Sequence, residues 1–230
     1  MVKGLVQNMK ALIKKINLKL FLFILGLVIF EAFIFFLTKP FIQNPYVLGS
    51  SLDDKMPFIP QFVWIYIFWY TMLFWVPYYI FAKNKDSFYK YAVTFVITTL
   101  IAGVIFVSFP NTVVRANIID NNTACKAVKL IYTLDDPGIN CLPSIHCLYS
   151  FLFIFGILDT KSNSPKWMKI LIITLSILVV LSTLFIKQHV LYDAIAAFII
   201  GIITWIIVDK CKYIPSLDKT ITRNKIKINN

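Results

Sequence analysis

The sequence predicts an all-α, polytopic membrane protein with six transmembrane helices and both termini on the cytoplasmic side. Three observations predict it. Of 230 residues, 59% are hydrophobic and 16% aromatic, with a mean hydropathy of +0.76. A water-soluble domain of this size has too little interior to hide that much apolar surface. The apolar residues gather in runs close to the roughly 20 residues that cross a hydrocarbon core. Finally, the basic residues are spread unevenly among the segments between those runs.

The first run is "LKLFLFILGLVIFEAFIFFL" (18–37), and the second lies within 58–81. The third is 89–109, the fourth a shorter stretch at 144–158, the fifth 167–186, and the sixth about 189–208. Lysines precede the first run, as they do in a secretory signal. The run is too long for a signal core, however, and no small-x-small cleavage site follows it, so it reads as a retained anchor. Ahead of it, Leu5, Val6, Met9, Leu12, Ile13 and Ile16 share one helical face, with Lys10 and Lys14 on another. That pattern suits a short helix lying on the membrane surface, with a flexible basic tail as the alternative.

The formal net charge is +12, which invites a nucleic-acid partner. The distribution excludes one. Six spans put both termini on one side, and that side carries 17 of the 23 Lys and Arg. Basic residues concentrate on the cytoplasmic side of membrane proteins, so the excess sets topology and suits a bilayer with anionic lipids.

This orientation brings the only two histidines, His146 and His189, to the outer ends of the fourth and sixth spans. Interfacial histidines that favour the headgroup region are the bland alternative. Asp193 follows His189 by four residues, so a helix stacks the two side chains on one face. A carboxylate bonded to one imidazole nitrogen frees the other as base or nucleophile, whereas a purely structural pair only joins helices. Pro143 suits a first helical turn, and Ser144 caps the helix or donates to a ligand. Both spans point a helix N-terminus outward, which favours an anion. Arg115, one of two arginines, offers a planar fork to phosphate oxygens, and Lys187 adds positive charge two residues before His189. These groups converge on a site for a phosphate.

"PSIH" (143–146) followed some forty residues later by "HVLYD" (189–193) resembles the type 2 phosphatidic acid phosphatase superfamily. Pro143, Ser144 and His146 match its P-S-x-H motif. Ser182, His189 and Asp193 match its S-R-x5-H-x3-D motif, with Thr183 in place of the arginine. Of the K-x6-R-P motif only Arg115 is kept, with Ser108 and Ala116 in the other two places. "LDDKMPFIPQFVWIY" (52–66) is also similar to the segment before the second span of some bacterial members. The missing basic residues look like the branch of inositol phosphorylceramide and sphingomyelin synthases and related bacterial phosphatases.

The resemblance implies an integral lipid phosphatase of the cell membrane whose site faces the extracytoplasmic side. Its substrate would be a phosphorylated lipid such as phosphatidic acid or a prenyl diphosphate, with headgroup transfer to a lipid alcohol as the alternative. It implies His189 as nucleophile, Asp193 as its orienter, His146 as acid and base, and Arg115, Ser144 and Lys187 on the phosphate. No metal or cofactor is implied. The chain then divides into a basic interfacial segment (1–17), a six-helix membrane catalytic domain (18–209) and a basic cytoplasmic tail (210–230). A proton-sensing transporter and a bis-histidine haem protein are the readings from other classes; the paired motifs and Asp193 disfavour both.

Five features stand outside the motifs. Cys125 and Cys141 share an outer loop, as a disulfide or as two thiols. Cys147 and Cys211 belong to no motif. Glu31, the only glutamate, is expected to hydrogen-bond a neighbouring helix, with a proton relay as the minor option. The aromatic second span reads as interfacial belt and packing, with a path for lipid tails as the alternative. "LDDPGIN" (134–140) reads as a turn.

Overall fold

A computed structural model of the protein describes residues 17–211. The expected surface helix of the first 16 residues and nearly all of the basic tail lie outside the described residues. In chain order the elements are α1 (Leu18–Thr38), β1 (Tyr46–Leu48), α2 (Ser51–Lys55), α3 (Val63–Lys83) and α4 (Lys85–Ser108). Then follow β2 (Asn111–Val113), α5 (Thr123–Leu134), α6 (Ile145–Asp159), α7 (Lys166–Phe185) and α8 (Leu191–Lys210). Among the described residues the fold is all-α apart from the short parallel pair β1–β2.

Among the described residues five helices (α1, α3, α4, α7 and α8) are long and apolar enough to cross a membrane. The fourth apolar run forms α6, which has only 15 residues. At 1.5 Å per residue that is roughly 22 Å, short of the about 30 Å of hydrocarbon. Its surroundings fit that length. α6 packs against α3, α4, α7 and α8, and Leu148, Tyr149, Leu152, Phe153 and Ile157 are fully buried. α1 lies at the edge of the bundle. It buries Leu20, Ile24 and Leu27, one stripe at helical spacing, and exposes Ile29, Phe33 and Phe36.

The two ends of the bundle differ. At one end Lys90 of α4 bonds Asp159 of α6 at 3.1 Å and Asp209 of α8. Its ammonium also lies 4.5 Å from the Trp205 ring centroid. At the other end the connections 39–62 and 109–144 fold over the helix termini. Asn111, fully buried in β2, accepts from the Cys141 and Leu142 amides at 2.9 and 2.7 Å. It thereby fixes the segment that enters α6. The expected turn at 134–140 is present, and α5 before it is an amphipathic helix that the apolar runs do not reveal. Cys125 and Cys141 are both free, buried thiols, so the thiol alternative holds.

Candidate active site

Each histidine sits at a helix start. α6 opens with Ser144 as its N-cap, and the Ser144 hydroxyl accepts from the Cys147 amide at 3.3 Å. Pro143 therefore precedes the cap and is not in the first turn. His146, the second helical residue, lies between two rings of α3. Tyr66 stacks on it with centroids 4.4 Å apart, and Trp69 lies at 4.2 Å. Tyr66 and Trp69 are one helical turn apart, so a single face of α3 supplies both walls.

His189 is not on a helix, contrary to the sequence reading. It occupies the turn between α7 and α8, and α8 begins two residues later. Asp193 nevertheless reaches it, because Asp193 is the third residue of α8 and folds back over the helix start. One carboxylate oxygen accepts from the Val190 amide at 3.0 Å and meets His189 Nδ1 at 3.1 Å. The pair thus forms across a helix cap, the reciprocal geometry by which an N3 acid satisfies an orphan amide. Asp193 is fully buried.

The turn itself is specific. The Gln188 amide bonds the Thr183 carbonyl at 3.0 Å and the Lys187 amide bonds the Leu184 carbonyl at 3.1 Å. This is a Schellman ending, with Lys187 in the left-handed position that glycine usually fills (φ +54°). A lysine there costs about 1–2 kcal/mol, a local strain that the fold carries beside His189.

The two histidine rings lie with centroids 5.9 Å apart and line one cavity of about 550 Å³. One phosphoryl group can touch both. The walls are mostly apolar and aromatic, drawn from α1, α3 and α5. Among the described residues, Nε2 of His146, Nε1 of Trp69, Oδ1 of Asn140 and Oε1 of Gln188 are buried without a hydrogen-bond partner. All four belong to cavity-lining residues, and buried polar atoms without a partner are uncommon in folded proteins. Glu31, expected to bond a neighbouring helix, is also placed in the cavity wall. The aromatics of α3, read as belt and packing, line the cavity as well.

The remaining expected site residues have other partners. Ser144 is fully buried as a cap. Lys187 Nζ bonds the Asp53 carbonyl at 2.6 Å, and the Asp53 carboxylate accepts from the Leu191 amide at 2.8 Å. The start of α8 is therefore occupied by Asp53 and Asp193, not left open for an anion. Arg115 bonds Asp135 at 2.6 Å and the Tyr132 carbonyl at 2.8 Å, with its guanidinium over the Tyr132 ring. Asp135 lines the cavity. Burial raises the Tyr132 hydroxyl to about 12, which keeps it a donor to the Ile186 carbonyl.

A family model of the PAP2 superfamily matches residues 41–207. The chain belongs to the PAP2 superfamily. No curated protein and no solved structure matches it. Its departures from the motifs of type 2 phosphatidic acid phosphatases now have local causes. Thr183, where the motif has arginine, is fully buried and faces Cys147 at 3.5 Å, so an arginine there has no room. The Ala116 amide donates to the Tyr132 hydroxyl at 3.4 Å, a bond that the proline of the motif cannot make. Ser108 is exposed at the end of α4 and bonds back to Val104.

Proposed function

We propose that this PAP2 superfamily member is an integral-membrane lipid phosphatase working through a phosphohistidine. The single observation that carries the reading is the His189–Asp193 pair facing His146 across one apolar cavity. Asp193 on Nδ1 leaves His189 Nε2 as the free nucleophile. Nε2 attacks phosphorus as the bond to the lipid oxygen breaks, and His146 gives that oxygen its proton. Water then attacks the phosphohistidine while His146 takes its proton, releasing phosphate and restoring both imidazoles. Arg115 supplies positive charge for the equatorial oxygens. Ser144 and Lys187 act as positioning residues that hold the two histidine-bearing turns. The apolar walls suit the acyl or prenyl chain of phosphatidic acid or a prenyl diphosphate. The charge distribution supports an extracytoplasmic site in the cell membrane, on a bilayer with anionic lipids.

A second reading, transfer of a phospho-headgroup to a lipid alcohol, is favoured by Thr183 at the arginine position. The test presents purified protein with labelled phosphatidic acid, prenyl diphosphate and headgroup-bearing phospholipids, with and without lipid alcohols. Free phosphate identifies hydrolysis, and a labelled new lipid identifies transfer. His189→Ala lowers either activity by several orders of magnitude, on the scale of a lost nucleophile. Wild-type turnover by that variant would sink the mechanism.

A further inference from the structure

Above the cavity lies an ion cluster that the chemistry just proposed leaves unexplained. The Asp135 carboxylate accepts from Arg115 Nη2 at 2.6 Å, Gln188 Nε2 at 2.6 Å and Lys39 Nζ at 3.3 Å. The donors come from three separate places: the end of α1, the segment after β2, and the turn before α8. Asp135 and Gln188 line the cavity, whereas Lys39 and Arg115 do not. The carboxylate therefore stands between the cavity and two cations.

Local structure argues against placing a carboxylate there. Asp135 closes the C-terminal end of α5, where the helix dipole disfavours negative charge. The three donors hold it against that field. They are also incompletely used, since among the described residues the Arg115 Nε–H has no partner. Two cations against one carboxylate leave an excess positive charge, and a phosphate monoester carries close to two negative ones. Arginine's fork accepts phosphate as readily as carboxylate. Gln188 directly precedes His189, so the donors sit one residue from the proposed nucleophile. α5 itself is attached through a small apolar cluster that includes Val63, Ala124, Val128 and Ile186, a limited anchorage for an element that must shift.

We infer that Lys39 and Gln188 complete, with Arg115, the phosphate-binding set, and that Asp135 is a resident anion whose place the substrate phosphate takes. Lys39 thereby supplies, from α1, the ammonium that the family motif places at the position of Ser108. This rests on the phosphatase reading. The competing role for Asp135 is to orient Arg115 permanently, and the two roles predict opposite signs.

The experiment titrates inorganic phosphate into purified full-length wild type, Asp135→Asn, Lys39→Ala and the double variant by calorimetry. Phosphate release from phosphatidic acid micelles and thermal unfolding are followed alongside. Removing the competing charge tightens phosphate binding about tenfold in Asp135→Asn, and Lys39→Ala weakens it by about the same factor, the scale of one charged hydrogen bond. In Lys39→Ala the KM rises while kcat changes by less than about twofold, as expected for lost uniform binding. The double variant returns close to wild type. Weaker phosphate binding in a folded Asp135→Asn overturns the inference, as does unaltered binding in Lys39→Ala. Should Asp135→Asn not fold, Lys39→Ala decides alone. A wild type that binds no phosphate and releases none from any lipid overturns the phosphatase reading and this inference with it.

Discussion

His189 and Asp193 gain their arrangement from a helix cap, and that makes the carboxylate sensitive to the smallest change. In Asp193→Asn an amide that donates to Nδ1 forces the proton onto Nε2 and removes the nucleophilic lone pair. Phosphate release is expected to fall on the order of 10³-fold, and because the same oxygen serves the Val190 amide, an NH2 in its place gives up that bond as well. Parallel turnover and thermal-unfolding measurements check it, and a variant with normal turnover would remove the tautomer argument. Gly138 is a second sensitive residue. It has φ +73°, and a Cβ there would lie 2.8 Å from the Arg115 guanidinium carbon. Gly138→Ala is therefore expected to cost about 1 kcal/mol in backbone strain and to move the guanidinium off Asp135. The signature is a raised KM together with a lower unfolding temperature.

Between elements, the short helix α2 carries more than its length implies. Asp53 bonds the α8 start through Leu191 and receives the Lys187 ammonium on its carbonyl. It joins both sides of the turn that carries His189. Asp53→Ala leaves the Leu191 amide without its acceptor and is expected to cost about 1 kcal/mol, the usual scale of a lost helix cap. Turnover falls too, because His189 lies two residues before that amide. If calorimetry of the variant matched wild type, α2 would be a passive connection. The Lys90 clamp on Asp159 and Asp209 plays the matching part at the other end of α4, α6 and α8.

For the molecule as a whole, the proposed orientation has a direct readout in its own cysteines. Cys211 is exposed just beyond α8, while Cys125, Cys141 and Cys147 are buried. Burial also pushes the Cys141 thiol above its ordinary range, so it stays protonated and slow to alkylate. One fast-reacting thiol is expected in the solubilised protein. In intact cells a membrane-impermeant maleimide should leave Cys211 unmodified, and permeabilisation should expose it. Labelling of Cys211 from outside would reverse the topology and place the histidines on the cytoplasmic face.

The sequence by itself determined the membrane class and six apolar runs, five of which form long helices, because a run of apolar residues near bilayer length announces a span without any partner. It also singled out His146, His189 and Asp193, since their motif spacing is local. Helix starts were legible only to within two residues, which is why His189 was placed on a helix and not in the turn before it. Tertiary structure alone decided the rest. Tyr66 and Trp69 enclose His146 because one face of α3 meets α6, and no local pattern separates such rings from a membrane belt. Lys39 and Asp135 are 96 residues apart, and Gln188 and Asp135 are 53 apart. Bonds of that span depend on which loops fold over which helix ends, information that periodicity and spacing do not hold. The same packing gives Ser144, Lys187 and the α8 start, expected as phosphate contacts, protein partners of their own.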